Sequence, residues 1–302
     1  MHKFFQFPNI SLPSIMPMSQ LTLLISLLSV SFVSNADNIA ELTKSPATKV
    51  ESTATKQRVF SLPKPMFDNL MKNMVLVEAG SFSMGSDSPK ARNREQPVKQ
   101  VTIDAFYIGK YELTQDIFEE IMGWNNSFFS CDKCPVNNIS WFNMMLFVER
   151  LNTATGKKFN LPTEAQWAYA AKGGNKSKGY KYSGSNDIND VAWFAKNANN
   201  KSQPVGLKKP NELGLFDMTG NLWEFCLDDM SRNTYRLTKN HNPFLGDKDN
   251  LRRKALKVIR GGGYEFSADE NLVFMRDGAT NNVRMADIGF RLVMNIDNEH
   301  TK

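Results

Sequence analysis

Between residues 174 and 256 the chain carries no sustained helical or strand period, only short apolar islands in a run dominated by Asn, Gly, Lys and Asp. So long an irregular stretch counts against a compact domain unless something other than sheet ladders fixes its loops. The flanking segments carry clearer signals. Upstream, residues 74–77 (MVLV) read as a short apolar strand, Gly80 as a turn and residues 82–85 (FSMG) as a second strand. Residues 98–107 alternate around Val101, Ile103 and Ala105 and predict a third. Three helices follow. Thr114 caps the first, with Ile117, Phe118, Ile121 and Met122 on one face; Ser140 caps the second, with Trp141, Met144, Met145, Val148 and Leu151. Residues 163–166 (TEAQ) form a capping box for the third, which runs through Trp167, Ala168 and Ala171 and stops at Gly173-Gly174. Two strand-like pieces, 257–259 and 288–294, close the domain.

With 302 residues, 41% hydrophobic and 23% charged, the chain can bury one sizeable core or two small ones, which excludes a fibre and a wholly disordered chain. A net charge of +6 biases it toward acidic surfaces. The densest basic run, residues 248–260 with Arg252, Arg253, Lys254 and Lys257, lacks the interleaved aromatics a single-strand binder stacks on. It reads as a solvated face, and no nucleic-acid partner is expected. Residues 21–33 (LTLLISLLSVSFV) form an apolar run followed by Ser34, Asn35 and Ala36, the pattern of an export signal cleaved before Asp37. The run is 13 residues, short of the ~20 needed to span a bilayer as a helix. A periplasmic or secreted protein, free of the membrane after cleavage, is expected. Met16 or Met18 are alternative starts. Residues 37–73 read as a linker of poor local order with a short helix near 67–71, residues 74–294 as the domain, and residues 295–302 as a flexible tail.

An exported chain meets an oxidising compartment. Cys131 and Cys134 lie in a C-D-K-C unit followed by Pro135, without a helix opening on them to lower a thiol pKa, so a structural disulfide or a quiet pair is expected over a redox motif. Cys226 stands alone and reads as a buried thiol. Zinc is not expected at the cysteine pair: a closed site wants four Cys or His ligands, and the only others on the chain are Cys226, His2, His241 and His300, of which His2 leaves with the signal and His300 sits in the tail.

Seven landmarks fall in one order along the chain. They are MVLVEAGSFSMG (74–85), YELT (111–114), PVNNISW (135–141), LPTEAQWAYAA (161–171), PNELGLFDMTGNLWEF (210–225), IRGGGY (259–264) and IGFRLV (288–293). In this order the sequence resembles the formylglycine-generating enzyme, or sulfatase-modifying factor, family. The resemblance implies an α+β, C-type-lectin-like fold with short strands, about three helices and long irregular loops, which answers the objection raised by residues 174–256.

Family members that make formylglycine hold copper with two cysteines shortly after the Arg-Gly-Gly motif, consistent with the preference of thiolate for Cu(I). The matching positions here are Phe266 and Asn271, and no cysteine follows Cys226. The resemblance is therefore to an exported member without the catalytic pair; copper is not expected, and Gly263 replaces a family Ser. It also implies a structural calcium ion held by Asp217, the carbonyls of Gly220 and Leu222, and Glu224, with a second reading in which Glu224 pairs with a buried arginine and Asp217 caps a turn. Arg260, Arg276, Arg284 and Arg291 can anchor carboxylates such as Glu164 or Glu224 beneath the loops. Gly263, Tyr264, Glu265, Phe266, Asn271 and Arg276 are the candidate cleft residues. The expected function is a binding or accessory module taking a peptide, glycan or partner protein in that cleft. The alternative is an oxidoreductase-like maturation enzyme, similar to the pyoverdine-maturation member, acting on a peptide or peptide-derived substrate there.

Overall fold

The computed structural model describes residues 61–246 and 255–296. The expected export signal, the linker up to residue 60, Arg252, Arg253 and Lys254 of the basic run, and the tail beyond residue 296 lie outside these residues. The helix expected near 67–71 is α1 (Lys64–Lys72), entered from Pro63, and it sinks Leu70 into the core. Residues 64–72 thus belong to the folded body and not to the linker.

Four strands follow: β1 (Met74–Val77), β2 (Gly80–Met84), β3 (Lys99–Ile103) and β4 (Phe106–Gly109). The single strand expected over 98–107 is two, and the buried positions explain the break. Val101 and Ile103 are buried in one phase, Phe106 and Ile108 in the other; a continuous strand keeps one phase, because its side chains alternate with period two. The change of phase falls at Asp104-Ala105, where the Asp104 amide donates to Asn242 Oδ1 instead of a ladder. β3 consequently pairs with β2, while β4 enters a different sheet, of order β1-β4-β10-β5.

Helices α2 (Gln115–Met122), α3 (Trp141–Thr155) and α4 (Glu164–Ala171) stand where their caps predict. Ser140 Oγ accepts from the Asn143 amide at 3.2 Å, and Thr163 Oγ1 from that of Gln166 at 3.2 Å. Thr114 is the exception. It occupies the N-cap position of α2 without a side-chain cap bond, and Asp116 takes the Ile117 amide instead. Two further helices of four residues, α5 (Ile188–Val191) and α6 (Thr234–Leu237), punctuate the later loops.

The remaining strands are β5 (Phe159–Asn160), β6 (Trp223–Asp229), β7 (Leu256–Arg260), β8 (Arg276–Thr280), β9 (Ile288–Gly289) and β10 (Val293–Asn295). The closing strand expected over 288–294 is interrupted at residues 290–292. β9 runs parallel to β6 in a sheet of order β8-β7-β6-β9, and β10 pairs with β4, so the last strand of the domain lies against the fourth. α4 packs against β2, β3, β6 and β7. Both faces of this helix are buried, including Glu164, Trp167 and Tyr169. Its alanines let strands approach from both sides.

Asparagine side chains take the part of ladders in the irregular stretch. Asn211 Nδ2 donates to the Ala170 carbonyl while its Oδ1 accepts from Leu213 and Leu215. Asn197 bridges Ala192 and Phe194, and Asn221 accepts from Gln203 while donating to Glu112. Such bonds satisfy backbone groups that would otherwise be buried unpaired.

Two residues of the basic run correct its reading as a solvated face. Lys257 and Arg260 lie on β7, which is flanked by β6 and β8, and both are buried. Lys257 Nζ donates to the Leu227 carbonyl, pairs with Asp229 and sits 4.5 Å from the Trp141 ring centroid.

A second buried network surrounds the start of α4. Glu164 receives Arg276 at 2.6 Å through both oxygens, and Asp228 accepts the amides of Glu164 and Leu245. Burial, and then the charge of Glu164, push Asp228 up to about 7 from 3.8. The folded state therefore retains a proton that the unfolded chain gives up, and stability falls as pH rises from about 4 through about 7. Roughly three pH units correspond to on the order of 4 kcal/mol. In urea unfolding over that range, wild type is expected to lose stability relative to Asp228→Asn as pH climbs; a pH-independent difference would contradict the buried proton.

Candidate functional site

Gly261 and Gly262 follow Arg260, the last residue of β7, and the chain turns there. Gly262 has φ +77°, and a Cβ there would stand 2.1 Å from Asn271 Oδ1, so only glycine fits. The Tyr264 amide donates to the Asn221 carbonyl and that of Phe266 to Gly263, after which Ser267 opens a short turn over residues 268–271.

This local path sorts the six candidate cleft residues. The Phe266 ring meets Trp223 edge-on, with centroids 5.5 Å apart, and lines a hollow of about 200 Å3 with Ile259, Val283, Met285 and Asp287. Glu265 is exposed on the surface. Gly263 is buried, and a Cβ there would stand 3.3 Å from the rings of Phe266 and Trp223. Three other candidates do not border an open cleft. Tyr264 is buried with Ala198, Leu222 and Trp193. Asn271 is buried and braces the loop, donating to the carbonyls of Ser267 (2.8 Å) and Phe266 (3.2 Å). Arg276 is saturated: Glu164 takes two of its bonds, the Arg94, Ser231 and Thr234 oxygens take three, and Tyr235 lies 4.9 Å from its guanidinium carbon. A guanidinium with every donor engaged has nothing left for a ligand.

Trp223, Met285 and Asp287 are among the hollow's residues that sequence reasoning missed. Asp287 is pushed above the ordinary carboxylate range by burial and, further, by Glu265. Trp223 sits within the DMTGNLWEF segment singled out for calcium, so its neighbourhood was legible and its direction was not. The two cysteine-equivalent positions thus hold a phenyl ring and a carboxamide already engaged in the fold. Neither offers a thiolate, and the cysteines are elsewhere: Cys131 and Cys134 are joined in a disulfide with α-carbons 5.2 Å apart, and Cys226 is a buried thiol on β6.

The calcium segment splits into two environments. Glu224 binds Arg291 through both oxygens (2.6 and 2.7 Å) and accepts from Trp167 Nε1 at 2.8 Å. Asp217 has left-handed backbone, φ +56°, and its Oδ2 accepts from the Gly206 amide, whereas its buried Oδ1 has no partner. Glu112 lies alongside, accepting from Asn221 and from the Leu222 amide. Burial first, and then the charges of Asp217 and Glu224, hold Glu112 well above the usual carboxylate range. Burial raises Asp217 to about 6. The set fits a cation in part: Asp217 Oδ1 is available, while Glu224 is engaged by the arginine. Of the four arginines expected to anchor carboxylates, Arg276 and Arg291 do so, Arg260 approaches Glu164 only to 3.8 Å and binds carbonyls of residues 273–275, and Arg284 is exposed.

A family model for the sulfatase-modifying factor enzyme 1-like domain matches residues 59–296. The chaperone protein LppX of Paenibacillus barcinonensis is 32% identical over 222 residues, covering 55% of this chain and 77% of that protein. The inactive C-alpha-formylglycine-generating enzyme 2 of Bos taurus is 26% identical over 282 residues, covering 72% and 87%. Among solved structures, the Treponema denticola variable protein 1 matches with a TM-score of 0.65 at 27% identity, over 74% of this chain and 95% of that one.

Since Asn271 holds the loop through its amide, Asn271→Ala is expected to cost about 1–3 kcal/mol and to speed hydrogen exchange in residues 264–272. Unchanged exchange there would show that the carboxamide is not the brace.

Proposed function

This chain belongs to the family of sulfatase-modifying factor enzyme 1-like domains, and from that premise we propose that it is an exported, calcium-stabilised binding or accessory module without formylglycine-generating activity. The observation that carries the reading is the fate of the two sulfur positions. Phe266 is packed on Trp223 and Asn271 is bonded into its own loop, so neither can grip a soft monovalent metal. The hollow beside Phe266, walled by Trp223, Ile259 and Val283, suits an apolar side chain of a peptide or partner protein better than a strongly charged group. Relatives named as a chaperone and as an inactive formylglycine-generating enzyme are in keeping with such a role.

Charge supports the calcium ion. Glu112, Asp217 and Glu224 are all buried, and Arg291 is the one cation bonded to a member of the group among the described residues. Buried carboxylates in excess of their cations are costly unless protonated or metal-bound. Asp217 Oδ1, with the carbonyls of Gly220 and Leu222, would hold the ion, whose charge would let Asp217 ionise.

Two measurements test this. A peptide carrying C-x-P-x-R, incubated with the mature protein and added copper, should yield no aldehyde by mass spectrometry; turnover would overturn the reading. Calcium added after chelation should raise the midpoint of thermal unfolding, and Asp217→Asn should abolish that rise; an equal response in the variant would remove Asp217 from the site.

A further inference from the structure

A large open cavity among the described residues lies away from the hollow at Phe266. It measures about 730 Å3 and shares no lining residue with that hollow. Its walls come from four places: Phe82 on β2, the loop around Lys90, the segment containing Tyr180 and Tyr182, and Phe274 just before β8. Lys172, directly after α4, completes them. We infer that this groove is a binding site for a small organic anion with a planar apolar body, its acid group received by Lys172.

The size falls within the ~300–1,000 Å3 of small-molecule sites, and the walls have their character: aromatic rings with a few placed polar groups. Phe82, Tyr180, Tyr182 and Phe274 supply faces and edges for a flat apolar group. The charge argument is independent of the shape. Lys172 Nζ is fixed by the Ser83 carbonyl at 2.7 Å and the Gly85 carbonyl at 3.4 Å, and stands 5.9 Å from the Phe82 ring centroid. An ammonium has three protons, and these two acceptors leave one. Among the described residues no carboxylate forms an ion pair with it. Burial, and secondarily Arg260, lower its pKa to about 8, as expected for a cation removed from water without a counterion. The other charges of the groove do not supply one. Asp269 is bound to Lys90 at 2.5 Å, Glu212 lies against Gly173 and accepts from the Lys178 amide, and Lys181 adds a further positive charge. Burial and Asp269 raise the Tyr182 hydroxyl above its ordinary value, so it stays neutral. An incoming carboxylate would meet a cation with no ion-pair partner among the described residues; of the two lining acids, Asp269 is paired with Lys90 and Glu212 is held by the Lys178 amide against Gly173.

The test uses the mature protein with 3-phenylpropionate and its neutral counterpart 3-phenylpropanamide, followed by calorimetry and by NMR shift changes. The carboxylate is expected to bind at least about tenfold more tightly than the amide, the worth of one charge-assisted hydrogen bond. Lys172→Met should bring the two affinities together, and Lys172→Arg should keep most of the preference. In the wild-type protein, which requires no variant to fold, the preference should fade as pH rises through about 8. Shifts should map to Phe82, Tyr182 and Phe274. Equal affinity for acid and amide, a preference that survives Lys172→Met, shifts confined to Phe266 and Trp223, or no saturable binding at millimolar concentration would each overturn the assignment.

Discussion

Glu224 and Arg291, 67 residues apart, form the bidentate pair on which the loops of this fold depend. Glu224 lies on β6, Arg291 in the break between β9 and β10, and both are completely buried. Arg291 also donates to the carbonyls of Gly109, at the end of β4, and of Phe216, in the irregular stretch, while Trp167 of α4 donates to Glu224. One ion pair thus ties two sheets, the central helix and the longest irregular segment. Removing two charges from water costs about as much as their attraction returns. What such a pair contributes is location: a buried guanidinium left without its carboxylate is far more costly than the paired state, so arrangements that separate them are disfavoured.

Around that anchor the loops are organised by side chains in place of ladders. Asn211 and Asn221 each tie separated segments while Asn197 closes its own turn, and Asn221 and Asp217 adopt the left-handed backbone that Asn and Asp tolerate best. The composition that argues against regular structure in residues 174–256 is therefore the composition that makes the irregular path possible. It also delivers cavity-lining residues to fixed places: Trp223 to the hollow beside Phe266, and Tyr180 and Tyr182 to the larger groove.

The two sites differ in what the family scaffold has kept. At the first, the positions that the family resemblance assigns to two cysteines hold a ring that extends the apolar wall and a carboxamide that closes the loop. At the second, an unpaired ammonium stands in an aromatic groove. Binding needs only a shaped surface and a few positioned groups.

Local bonds made the sequence readable where it was. The caps at Ser140 and Thr163 reach three residues ahead, the seven motifs give the order of the domain, and the absence of thiols at residues 266 and 271 is visible in the residue types alone. Tertiary structure decided the rest. Whether 98–107 is one strand or two depended on a change of buried face that only the opposing sheets reveal. Arg276, taken from the sequence as a cleft residue, is a core residue because Glu164 waits for it 112 positions away. Asn271 and Tyr264 are turned inward by the path of the loop, and the groove at Lys172 is assembled from four segments that share no motif. Caps and motifs are written in neighbouring residues, whereas burial, the pairing of charges and the shape of a cavity are set by residues that become neighbours only when the chain folds.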